Sequence, residues 1–151
     1  MKVLIVYGTY SGGTQMVAEK IASILNNSHT VKIQDVMTTE PTDFALHDII
    51  ILGSCTWLHD KKDGQLHVGF YTLIDKLKGM SFPGKPFAVY GLGDESYLRF
   101  CAAADHLSQL VHSLQAKELM KPMCLNHFFY HEEKNQELIS EWTKKLMEAI
   151  K

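Results

Sequence analysis

Two uninterrupted apolar runs constrain the fold of this chain more than any other feature: Val3 to Tyr7, and Ile49-Ile50-Ile51-Leu52 within Asp48 to Gly53. Both are rich in β-branched side chains, too short for helices, and apolar at every position rather than every second one. Such runs read as strands covered on both faces. Helical patterns alternate with strand patterns around them. Thr14 opens a helix to about Asn26, with Val17, Ile21, Ile24 and Leu25 on one face, and a second strand is expected near Val31 to Val36. A helix from about Gln65 to Leu77 precedes the turn Phe82-Pro83-Gly84-Lys85-Pro86 and a fourth strand from Phe87 to about Leu92. Helices from about Phe100 to Leu114 and from Glu132 to Ile150 flank a last strand within Glu118 to Asn126. In the final helix Leu138, Ile139, Trp142 and Leu146 form a stripe expected to lie in the core. This alternation predicts an α/β fold of parallel strands joined by right-handed helical crossovers, a three-layer doubly wound sandwich.

At 151 residues, 46% of them hydrophobic, the chain can bury a core without staples, and one domain spanning 1-151 is expected. A net charge of -2 and the lack of a basic stripe argue against nucleic acid as a partner. No apolar stretch approaches the ~20 residues of a membrane span. Met1-Lys2 before Val3 to Tyr7 is too short a pattern for a targeting segment and reads as a strand entering a loop. The cysteines Cys55, Cys101 and Cys124 are odd in number and unpatterned, which suits a reduced, cytoplasmic setting.

Open α/β sheets bind ligands beyond the carboxyl ends of their strands, and three unusual loops fall there. Gly8-Thr9-Tyr10-Ser11-Gly12-Gly13-Thr14 joins hydroxyl side chains and paired glycines directly to a helix, a turn whose N–H groups can surround a phosphate. Thr14 and Gln15 stand where a nucleotide-triphosphate loop needs Lys and Ser or Thr, so a triphosphate with magnesium fits poorly. The same residues also fit a plain glycine-rich turn with Thr14 as a helix cap. In the second loop Trp57 follows a buried strand and precedes the polar Leu58-His59-Asp60-Lys61-Lys62-Asp63-Gly64. In the third, Tyr97 follows Asp94-Glu95-Ser96. Two aromatics on separate loops over one pocket can sandwich a planar ring. His127 and His131, four apart, read as surface histidines rather than metal ligands.

Three ordered motifs, Thr9-Tyr10-Ser11-Gly12-Gly13-Thr14, Gly53-Ser54-Cys55-Thr56-Trp57, and Gly91-Leu92-Gly93-Asp94-Glu95-Ser96-Tyr97 with Phe100-Cys101, resemble those of the flavodoxin family, in its short-chain branch. The resemblance spans nearly the whole chain and implies a five-stranded parallel sheet in the order 2-1-3-4-5, binding FMN non-covalently. It implies that Thr9, Tyr10, Ser11, Gly12, Gly13 and Thr14 contact the phosphate, that Trp57 covers the inner face of the ring, and that Tyr97 stacks on the outer face. Ser54, Cys55, Thr56, Leu58 and His59 on one side, and Gly93, Asp94, Phe100 and Cys101 on the other, surround the polar edge of the ring. The implied function is a low-potential one-electron carrier rather than an enzyme. Its partners are redox proteins, a flavodoxin reductase-type donor and a separate acceptor, and it works as a monomer.

The sequence departs from the family pattern in two ways. Asp60, Asp63, Asp94 and Glu95 are interleaved with Lys61, Lys62 and Arg99, where flavodoxins are generally more acidic, so a less negative potential is expected. Leu58 stands where many members carry Gly at a peptide that turns over on reduction, which predicts a less stable half-reduced flavin. A small FMN-dependent quinone or nitro-compound reductase is the alternative, although Trp57 and Tyr97 leave little room over the ring. A receiver-type signalling domain is disfavoured, because Tyr7-Gly8 and Gly53-Ser54 stand where that chemistry needs acidic residues. A flavin-free interaction module on the same fold is the third reading.

Overall fold

A computed structural model describes residues 1–96 and 99–151. The first half runs β1 (Lys2–Gly8), α1 (Gly13–Leu25), β2 (Thr30–Asp35), a 3-10 turn (Val36–Thr38), α2 (Pro41–Ala45), β3 (Ile49–Cys55), β4 (Trp57–His59) and β5 (Lys62–Gln65). It continues through α3 (Val68–Leu77), β6 (Pro86–Gly93), α4 (Ala102–Ser113), β7 (Lys117–Glu118), β8 (Met123–Asn126) and α5 (Glu132–Ala149). The main sheet is parallel, in the order β2-β1-β3-β6, with β7 and β8 both paired to β6. These last two are pieces of one edge strand. The Leu119 N–H still donates to the Phe87 carbonyl at 2.8 Å, and the break falls at Met120-Lys121-Pro122, where proline has no N–H to offer a ladder. Counted as one strand, they give the expected order 2-1-3-4-5.

Strand side chains divide by parity between two cores. Val3, Ile5, Tyr7, Ile49, Ile51, Ala88 and Tyr90 pack with α1 and α5. Leu4, Val6, Ile50, Leu52, Phe87 and Val89 pack with α3 and α4. Every residue from Val3 to Tyr7 and from Ile49 to Ser54 is buried, as a two-faced strand requires.

Several local expectations are corrected. α1 begins at Gly13, one residue before Thr14 and without a side-chain cap. α3 begins at Val68 rather than Gln65, because Lys62–Gln65 pairs with Trp57–His59 as an antiparallel hairpin. The two turn residues, Asp60 and Lys61, both have positive φ (48° and 61°), the conformation a tight two-residue hairpin needs. Leu138 is exposed. The buried face of α5 instead follows Asn135, Ile139, Trp142, Thr143 and Leu146, a stripe phased from Asn135 that leaves Leu138 beside it.

Tyr90 ties the two halves together. Its ring lies over Gly53 of the neighbouring strand, and its hydroxyl donates to the Thr14 carbonyl of α1 at 2.9 Å. A Cβ on Gly53 falls inside that ring. Gly53→Ala should therefore destabilise the protein by about 2 kcal/mol or more through overpacking, measured as a lower urea midpoint at unchanged m-value.

Candidate functional site

The carboxyl ends of β1, β3 and β6 open on one cavity of about 610 Å³. From the first loop it is lined by Thr9, Ser11, Gly13 and Thr14. The Thr9 hydroxyl accepts from the Gly12 N–H at 2.9 Å, which closes the loop on itself. Gly12, the residue before α1, has φ 91°, and α1 has neither a side-chain cap nor an acidic residue in its first turn. The first amides of a helix have no intrahelical partner, and here no side chain among the described residues caps them. Thr14 lines the cavity, and its buried hydroxyl has no hydrogen-bond partner among the described residues. A buried, unpartnered hydroxyl beside uncapped amides at a positive helix end is the donor set of an anion site.

The second wall comes from the end of β3 and the hairpin: Cys55, Thr56, Trp57, Leu58 and Asp63. Thr56 is held by its N–H to the Leu92 carbonyl at 2.9 Å, and its hydroxyl accepts from the Ala103 N–H at 3.3 Å, capping α4. Burial pushes the Cys55 thiol up to about 11, so it is a neutral side chain at pH 7. Trp57 is 57% exposed, its ring 5.9 Å from that of Tyr10. The third wall holds Leu92, Gly93, Asp94 and Arg99. The Ser96 hydroxyl and N–H both donate to Asp94 Oδ1, at 2.6 and 2.8 Å, and His127 Nε2 lies 2.7 Å from the same oxygen. The Ser96 hydroxyl foremost, then its N–H and the histidine, outweigh partial desolvation and hold this carboxyl below the usual carboxylate range.

Residues 5–142 match the family model described as flavodoxin. The chain belongs to the flavodoxin family. It is 32% identical to the flavodoxin of Maridesulfovibrio salexigens over 117 residues, 76% of this chain and 79% of that protein. The crystal structure of oxidised flavodoxin 2 from Bacillus cereus superposes with a TM-score of 0.88 at 29% identity, covering 98% of this chain and 99% of that one. The Fusobacterium nucleatum flavodoxin bound to flavin mononucleotide shares the fold, with a TM-score of 0.83 at 17% identity and 97% of each chain covered.

Of the flavodoxin site residues named from the sequence, ten line the cavity: Thr9, Ser11, Gly13, Thr14, Cys55, Thr56, Trp57, Leu58, Gly93 and Asp94. Six do not. Tyr10 turns toward α3, where its hydroxyl accepts from the Val68 N–H at 3.0 Å, and Gly12 supplies the turn before α1. Ser54 is buried behind the wall, His59 stacks on Tyr71 at 4.6 Å, Phe100 lies outside it, and Cys101 is buried with φ 55° at the start of α4. Tyr97 lies outside the described residues. Leu58 sits in β4 without a positive φ.

Five lining residues were not singled out as site residues: Asp63, Leu92, Arg99, Phe128 and Phe129. The pair Phe128-Phe129 follows the edge strand at the same carboxyl end, so the crevice rule applied to that strand would have found it. Arg99 packs against Gly64 of the hairpin, a contact no local pattern signals.

Since the Asp94 pKa lies below the unfolded value of about 3.9, this carboxylate contributes stability above about pH 4 and loses it as pH falls through its folded value. Ser96→Ala should raise the Asp94 pKa, followed by carboxyl-carbon NMR across pH 2 to 6.

Proposed function

We infer that this chain is a low-potential one-electron carrier that holds FMN non-covalently in a single domain spanning 1–151, with no catalytic acid or base of its own. The observation that carries this reading is the unpartnered Thr14 hydroxyl beside the uncapped end of α1, opening on a cavity large enough for a flavin. A phosphate monoester offers acceptor oxygens to these donors and needs no lysine or magnesium. In this reading residues 9–14 hold the phosphate. Trp57 lies on one ring face and Tyr97 on the other, and residues 54–59, 93–94 and 100–101 meet the polar edge of the ring. Bound FMN supplies the one-electron chemistry. The chain orients it, keeps water from one face, and sets the charge around it.

Flavodoxins pass electrons between redox proteins. Here the donor is a flavodoxin reductase-type protein and the acceptor a second redox protein, each meeting the exposed Trp57, Leu58 and Phe129 at the cavity mouth. The protein acts as a monomer in the cytoplasm, a setting that suits its three free cysteines. None of its helices, among the described residues, is long and apolar enough to cross a membrane.

Flavin fluorescence quenching tests the assignment. FMN should bind far more tightly than riboflavin, which lacks the phosphate. Thr14→Val should weaken FMN at least about tenfold, the loss of one hydrogen bond to a charged group, and leave riboflavin unchanged. Equal affinity for FMN and riboflavin overturns the phosphate site. Direct oxidation of NADPH by the holoprotein, with no added reductase, would mark an enzyme instead.

Arg99 on the cavity wall sets a second expectation. A unit charge ~10 Å from the ring at an effective dielectric of ~40 changes the energy of the reduced, anionic ring by roughly 1 kcal/mol. Arg99→Gln should therefore make the second one-electron midpoint more negative by about 40 mV at low salt, and by less as salt is added, read by redox titration.

A further inference from the structure

The described structure buries one histidine that the proposed site does not use. His67 is only 6% exposed and lies between three elements that frame the first loop. Its backbone N–H donates to Ser54 Oγ at 3.0 Å, fixing it to the end of β3. Its Nδ1 accepts from the Gly69 N–H at 3.0 Å and caps α3, which leaves the proton of the neutral ring on Nε2. The Thr9 backbone favours a proton on this ring. The ring packs against Tyr10 at 4.3 Å between centroids, tilted by 34°. It also crowds Gly8, where a Cβ would stand 2.6 Å from that of His67, so only glycine fits. Tyr10 closes the circuit by accepting from the Val68 N–H at 3.0 Å.

Gly8, Thr9 and Tyr10 are the entry to the loop whose far end is the anion site of α1. We propose that His67 is the positioning residue of that loop: its neutral ring clamps residues 8–10 against the start of α3, and its protonation releases the clamp and weakens FMN binding. The proposal rests on the FMN reading given above.

The physical reason lies in Nδ1. A proton there faces the Gly69 N–H, donor against donor, and the cap of α3 is lost. Burial lowers the His67 pKa from the ordinary histidine value, against the opposing pull of the Asp35 carboxylate at the end of β2 and of the Thr9 backbone. Among the described residues, Asp35 is the carboxylate whose charge acts on the ring, and Tyr10 is the ionisable side chain packed against it. Because the folded value is lowered, the contribution of His67 to stability is complete above the unfolded value of about 6.5 and is lost as pH falls through the folded one.

His67→Asn tests this. An asparagine still accepts from the Gly69 N–H and caps α3, but it neither packs on Tyr10 over the same area nor titrates. FMN affinity of the parent and the variant is measured by fluorescence quenching from pH 5 to 8, with riboflavin alongside to separate the ionisation of the phosphate. The variant should bind FMN about fivefold to tenfold more weakly at pH 7.5, the cost of one neutral contact, and the difference between the two should shrink toward pH 5. In the apo parent, the amide signals of Gly12, Gly13 and Gly69 should titrate together with the His67 ring by NMR, a readout that needs no flavin. Loop amides that stay fixed while Gly69 moves, or a variant with the FMN profile of the parent, overturn the positioning role and leave the FMN reading standing. A parent that ignores FMN at pH 7.5 overturns that reading and this proposal with it.

Discussion

The burial of β1 and β3 on both faces is the constraint on which the rest of the structure depends. A strand apolar at every position gains from burial only if each face is covered. A sheet of such strands therefore needs helices on both sides. Parallel strands cannot be joined by tight turns, so every connection is a helical crossover that begins at the carboxyl edge of the sheet. The loops after β1, β3 and β6 are thus delivered to one edge by the packing of the core. Tyr90 adds precision, since its hydroxyl reaches across Gly53 to hold the first turn of α1 at a fixed place above that edge.

What turns this edge into a site is an asymmetry among helix starts. α2 carries a capping box between Glu40 and Asp43, α3 is capped by the His67 ring, and α4 is capped from outside by the Thr56 hydroxyl. α5 places Glu132 and Glu133 in its first turn. Each of these satisfies its own amides or balances its own dipole. α1 does neither, and it faces the cavity with a buried hydroxyl that has no partner. A helix that satisfies its own end leaves nothing for an anion to bind, and among the described residues α1 is the one left open.

The side chains around the cavity suit a carrier better than a catalyst. Cys55, the thiol on the wall, is held neutral by burial and is a poor nucleophile. The charged groups there, Asp63, Asp94 and Arg99, are of mixed sign, so their fields partly cancel at the ring rather than expelling negative charge from it. Asp94 is committed to Ser96 and His127, which fixes the loop rather than freeing a base.

Two kinds of information were written locally. The apolar runs and their alternation with helical periods determined the sheet, its parallel sense and the edge at which ligands gather, because burial of apolar surface depends on pattern alone. The glycine and hydroxyl segment 9–14 and the stranded Trp57 were legible for a similar reason: each breaks the pattern of its surroundings. The contributions of Phe128, Phe129 and His67 were not legible, since each becomes a neighbour of the site only when another element packs beside it. The hairpin of residues 57–65 escaped too, its polar strands showing no alternation of apolar side chains. By itself the sequence determined the architecture and the three loops that wall the cavity. Only the tertiary structure decided that the end of α1 stays uncapped and that Tyr10 turns toward His67, because a capping partner or a packed ring is a contact between distant segments and leaves no trace in the order of residues around it.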